Sequence, residues 1–108
     1  MDVESFITKN SDNGVIAVQG LGFVGSVMSL VCANALSADY FVIGVDVPEM
    51  DKKIQLLNQG VFPLVAEDPK IELYFNNALK KGNFFATSDS SSFSYADIII
   101  VDINLDVK

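Results

Sequence analysis

An apolar run, Val15 to Gln19, passes straight into Gly20-Leu21-Gly22-Phe23-Val24-Gly25. A second apolar run, FVIGVD, ends in Asp46, 21 residues after Gly25. Strand, Gly-x-Gly-x-x-Gly, helix, strand and terminal acid together form the fingerprint of a dinucleotide-binding βαβ unit. The pattern demands a tight turn, a helix close against a sheet and two parallel strands. Gly20 ends the strand and turns the chain. Gly22 leaves room for a pyrophosphate at the backbone, and Gly25 lets the helix pack closely. The free N–H groups and positive dipole end of that helix then face the phosphates.

The helix reads from Val24 to about Leu36, with Val24, Val27, Met28, Val31 and Ala35 as its apolar face. A tight turn in some other α/β protein is the competing reading of the glycines. A methyltransferase can also place an acid after its second strand, but with looser glycine spacing. Asp46 selects the cofactor: its carboxylate accepts hydrogen bonds from the adenosine ribose and repels a 2′-phosphate, which favours NAD over NADP. Lys52 and Lys53 read as a solvated start to the next helix, in preference to a contact that softens this repulsion.

A chain of 108 residues, half of them hydrophobic, makes one domain with an ample core. No apolar stretch approaches the roughly 20 residues of a membrane span. The opening MDVESFITKN has no basic segment followed by an apolar one, so no secretory signal is read. Seven basic against fourteen acidic residues give a net charge of −7, which argues against nucleic acid as a partner. With no histidine and one cysteine, neither a disulfide nor a Cys/His metal site forms within the chain. Cys32, on the first helix, reads as an inert packing residue because no basic residue lies near it in sequence. The expected location is cytoplasmic.

Residues 1–13 read as a polar lead-in, short helical or loose, and residues 14–108 as the domain. Pro48 stands at the start of a second helix, with Ile54 and Leu57 on its apolar side and Gly60 as its stop. Residues 61–68 read as a loop. Pro69 to Lys81 reads as a third helix, with Ile71, Leu73, Phe75 and Leu79 among its apolar positions and Gly82 ending it. Asn83 to Thr87 is a short strand. Ser88 to Ser94 is a loop with a helical turn, and Ile98 to Ile103 is an apolar strand. Strands alternating with helices predict an α/β fold of Rossmann type. Its parallel sheet has helices on both faces and strand order 3-2-1-4.

These residues resemble the N-terminal NAD-binding domain of the UDP-glucose/GDP-mannose dehydrogenase family, the nucleotide-sugar 6-dehydrogenases. Gly20 to Gly25 resembles the family's Gly-Leu-Gly-Tyr/Phe-Val-Gly, and Val42 to Asp46 its second strand. LNQGVFPL, Leu57 to Leu64, is similar to Leu-Asn-x-Gly-x-x-Pro-Ile/Leu, the most family-specific piece. Glu67 falls near the Glu of Glu-Pro-Gly-Leu, with Asp68 intervening before Pro69. NFFATSD, Asn83 to Asp89, resembles the strand ending in Thr-Thr/Asn-Asp, and ADIIIV, Ala96 to Val101, the fourth strand. The family's Val-x-Thr-Pro is replaced by Ile103, Asn104, Leu105 and Asp106, so contacts of that Thr do not carry over.

The resemblance implies NAD as cofactor, held by Gly20, Leu21, Gly22, Phe23, Val24, Gly25, Asp46 and Thr87, with no metal. It implies oxidation of a UDP- or GDP-sugar C6 hydroxyl to a carboxylate, in two hydride transfers, within polysaccharide biosynthesis. The family's catalytic Cys, with its Lys and Asn helpers, lies in a later domain. No catalytic residue is therefore assigned here, and the chain is expected to be the cofactor domain of a longer enzyme. Alone it is expected to be inactive and open to self-association at its fourth strand. The alternative is a non-catalytic NAD-binding or interaction module.

Overall fold

The computed structural model describes residue 6 and residues 14–35, 40–62 and 68–102. Most of the lead-in, Pro63, Glu67 and residues 103–106 lie outside them. The elements run β1 (Gly14–Gln19), α1 (Phe23–Ala33), β2 (Tyr40–Val45), α2 (Asp51–Asn58), α3 (Pro69–Lys81), β3 (Phe84–Thr87) and β4 (Ile98–Val101). A 3-10 turn, Pro48–Met50, leads into α2, and a second 3-10 helix, Ser90–Tyr95, precedes β4. The sheet has the order β3-β2-β1-β4, and all three pairings are parallel. This is the expected Rossmann arrangement, with β1 at the point where the strand order reverses.

Along β1 and β2 both faces of the sheet are covered, which is why these strands are apolar on both sides. On one face Ile16, Val18, Val42 and Ala86 pack against Leu30 and Ala33 of α1, Ile54 and Leu57 of α2, and Phe75 and Ala78 of α3. On the other, Val15, Phe41, Ile43 and Val45 meet Phe6, Phe85, Phe93 and Ala96. Phe6 is an anchor that the polar reading of the lead-in overlooked. Its ring stacks on Phe85 at 5.7 Å and meets Phe41 edge-on at 5.8 Å.

The rotation of α1 corrects the sequence expectation. Val24, Met28 and Val31 are 57%, 37% and 50% exposed, whereas Gly25, Ser26, Ser29, Leu30 and Ala33 face the core. Close approach of the helix to the turn decides this. A Cβ on Gly25 would drive into the Gly20 carbonyl oxygen, so position 25 has to face β1. The serines brought inward bond backbone carbonyls: Ser26 Oγ donates to Leu21 O at 3.0 Å and Ser29 Oγ to Gly25 O at 2.8 Å. Satisfied in this way, a hydroxyl is cheap to bury. The helix also stops short of Leu36, because the Asn34 side chain donates to Leu30 O and to Tyr74 O of α3.

α3 spans the expected residues. Asp68 accepts the Lys70 N–H as N-cap and Pro69 takes the first position. Gly82 ends the helix at φ 68°, a left-handed conformation that suits glycine. Its buried residues are Phe75 and Ala78. Leu73 and Leu79, expected inside, are largely exposed because they stand off the Ile71, Phe75, Ala78 stripe. β4 ends at Val101, two residues before the expected Ile103.

Candidate dinucleotide site

The C-terminal ends of β1, β2 and β4 come into register at one place. Gln19, the last residue of β1, pairs with Val45 on one side and Val101 on the other. The next residues are Gly20, Asp46 and Asp102, so an acid follows each neighbouring strand. Gly20 N–H donates to Val45 O at 2.8 Å, and Asp102 N–H donates to Gln19 O at 2.9 Å. Gly20 turns at φ 99°, and a Cβ there would stand 2.8 Å from Asp102 O.

Leu21 locks the turn to the sheet. It is fully buried, and its side chain lies over Gly44 of β2, where an added Cβ would come within 2.5 Å of Leu21 Cδ2. Leu21 N–H donates to Asp46 Oδ2 at 2.8 Å, and Val47 N–H donates to Asp46 Oδ1 at 2.8 Å. An ionised carboxylate has about four acceptor sites. Two of them accept from backbone N–H groups, leaving two free.

The glycines divide into two kinds. Gly20 and Gly25 are required by the protein, since a Cβ at either meets backbone. Gly22 is not: a Cβ there meets no atom within 4 Å, and its φ of −67° suits any residue. It is exposed, immediately before α1, whose first turn has no acidic residue and no side-chain cap. The space above Gly22 and the N–H groups beyond it form a cradle that the fold itself leaves unused.

A cleft of about 420 Å³ opens beside this turn, with Gly20, Asp46, Pro48, Ser88, Phe93 and Asp102 among its walls. Among the expected cofactor residues, the fold brings together Gly20 to Gly25 and Asp46. Thr87 ends β3 next to them; its carbonyl accepts the Asp46 N–H at 3.1 Å and its Oγ1 accepts the Asp89 N–H at 3.1 Å. Ser88 and Ser90, beyond it, line the cleft. The Phe23 side chain lies outside the described residues.

The linear chain gave no sign of Gly44 or Asp102, and it gave Lys53 as a solvated start to α2. Lys53 reaches back to the turn, its Nζ donating to Leu21 O at 3.4 Å. Asp102 falls inside the expected Ile98–Ile103 strand; only the end of β4 at Val101 places it one residue past its strand, as Asp46 is past β2. Cys32 is half-buried against the main core, and burial raises its thiol pKa above the ordinary 9.0. Among the described residues no group of three or more His, Cys, Asp or Glu could hold a metal ion, and no helix is long and apolar enough to cross a membrane.

Residues 14–106 match the NAD binding domain of the UDP-glucose/GDP-mannose dehydrogenase family. Among solved structures, the chain is similar to an NDP-N-acetyl-D-galactosaminuronic acid dehydrogenase from Methanosarcina mazei Go1. The TM-score is 0.75 and the identity 29%, covering 94% of this chain and 22% of that one. It is also similar to a UDP-D-ManNAc dehydrogenase from Pyrococcus horikoshii, with TM-score 0.68 and 26% identity, covering 82% of this chain and 20% of that one. No curated protein matches the sequence. The chain thus spans about a fifth of the length of these two structures.

Proposed function

The chain belongs to the UDP-glucose/GDP-mannose dehydrogenase family, as its NAD-binding domain, and on that premise we propose that it holds NAD at the Gly20–Gly25 turn within a nucleotide-sugar dehydrogenase. The proposed overall reaction is oxidation of the C6 hydroxyl of a UDP- or GDP-sugar to a carboxylate. Bound there, NAD would supply the hydride acceptor. The chain's own residues bind and orient. The first-turn N–H groups of α1 receive the pyrophosphate, and the two free acceptor sites of Asp46 take the adenosine ribose. The wall of Pro48, Ser88 and Phe93 encloses that half of the ligand.

The observation that carries this reading is Gly22. Nothing in the protein requires a glycine there, whereas a pyrophosphate approaching the backbone does. Gly22→Val tests it. Folding stability should fall by no more than about 1 kcal/mol, the cost of an apolar residue at the N-cap of α1, since the new side chain meets no protein atom. NAD affinity measured by calorimetry should fall at least about ten-fold, because the same side chain occupies the phosphate position. A variant that folds and binds NAD as the parent does would overturn the assignment.

A second reading, a non-catalytic NAD-binding module, draws on one observation. Among the described residues no thiol or imidazole faces the cleft, since Cys32 packs against the core and the chain has no histidine. The 108 residues alone are accordingly proposed to bind dinucleotide without turnover. Sustained NADH absorbance during incubation with NAD and a panel of UDP- and GDP-sugars would remove this reading. Ile98, Ile99 and Val101 of edge strand β4 are each about half exposed. Self-association through that edge is the corresponding expectation, and light scattering on the purified chain tests it.

A further inference from the structure

Asp102 is the acid of the cleft that ribose binding leaves unused. β1 stands between β2 and β4, and a dinucleotide lies across the ends of the strands where the order reverses. Asp46, after β2, marks the adenosine half. The other half then extends over β4, and Asp102 is the first residue beyond that strand.

The Asp102 carboxylate points back at the helix that faces the phosphates. A Cβ on Gly25, in the first turn of α1, would stand 3.1 Å from Asp102 Oδ2. No hydrogen bond or ion pair reaches this carboxylate from the described residues, whereas both oxygens of Asp46 are bonded. Lys53 bonds Leu21 O on the β2 side. The cleft is therefore asymmetric: an acid and a lysine attend its adenosine half, and an unpaired acid attends the other.

We infer that Asp102 sets the redox preference of the site, holding the oxidised dinucleotide over the reduced one. The inference rests on the NAD-binding reading above. Both forms carry two phosphate charges, but only the oxidised nicotinamide ring is positive. A fixed negative charge on the nicotinamide side opposes the phosphates of either form and attracts only the oxidised ring. NADH thus meets one more unit of unfavourable charge than NAD+, and its departure after hydride transfer is eased.

The test compares the parent chain with Asp102→Asn, Asp102→Ala and Glu72→Gln. The last removes the same charge from an exposed position on α3. Calorimetric titration with NAD+, NADH and ADP-ribose is run at low and moderate salt, with thermal melts to confirm folding. In both Asp102 variants the ratio of the NADH Kd to the NAD+ Kd should fall about five-fold, the scale of one partly screened charge in a cleft. ADP-ribose, with the charge of NADH and no ring, should gain affinity alongside NADH. Added salt should shrink the difference, and Glu72→Gln should leave the ratio at its parent value. An unchanged ratio in both folded Asp102 variants, or weaker binding of all three ligands, would overturn the inference. Failure of every ligand to bind the parent would instead remove the NAD-binding reading itself.

Discussion

Asn58 and Ala86 exchange two hydrogen bonds: Asn58 Nδ2 donates to Ala86 O at 2.7 Å, and Ala86 N–H donates to Asn58 Oδ1 at 2.9 Å. The side-chain amide at the end of α2 thus takes the place of a neighbouring strand at the outer edge of β3. This gives a physical reason for the Asn in the family-like Leu-Asn-x-Gly segment, because it ties the second crossover to the sheet and closes an edge. Gly60 follows at φ 89°, letting the chain leave the helix directly after the clamp.

Asn58→Ala should therefore destabilise the fold by about 1–3 kcal/mol, the cost of leaving two backbone groups without their partner. Asn58→Asp should cost at least as much, since it sets a carboxylate oxygen against the Ala86 carbonyl. Urea unfolding of both variants checks this. Parent-like midpoints would mean that water replaces the clamp at no cost.

Gly44 and Leu21 form a second dependence. Gly44→Ala puts a methyl 2.5 Å from Leu21 Cδ2, and Leu21 has no exposed surface into which to move. A loss of about 1–3 kcal/mol is expected for such overpacking, together with weaker NAD binding as the turn shifts. Leu21→Val in the Gly44→Ala background should restore part of both. A double-mutant cycle with no coupling between the two sites would contradict the packing account.

Asp46 has a structural role and a proposed binding role. Asp46→Ala removes the acceptor for Leu21 N–H and Val47 N–H as well as the proposed ribose contact. NAD binding should weaken by about 1–3 kcal/mol, and the parent should show no preference for NADP. Titration with NAD, NADP and AMP separates the effects, since AMP shares the ribose contact. Equal affinity of mutant and parent for NAD and AMP would count against Asp46.

Cys32 should be a slow thiol. Burial raises its pKa from 9.0, so near neutral pH the reactive thiolate is scarcer in the folded chain than in the unfolded one, and reactivity should climb as pH rises. Alkylation by iodoacetamide at pH 7.5 should run measurably slower in buffer than in denaturant. Equal rates would show that the α1 surface opens freely.

Much of the fold and part of the site could be read from the linear chain. The glycine turn, Asp46 after the second strand, the helix from Pro69 to Lys81 and the strand order all follow from local constraints. A left-handed turn, a missing N–H and right-handed crossovers act over a few residues or by general rule. What the linear chain did not disclose depends on contacts between distant segments. Spacing showed that α1 has an apolar side, yet the close approach of Gly25 to Gly20 turned Val24, Met28 and Val31 outward. The same holds for Phe6 against Phe85, Leu21 over Gly44, Asn58 on Ala86 and Asp102 beside α1. Periodicity says which residues share a face. Only the packed tertiary structure, where one close contact excludes the alternatives, decides where that face points.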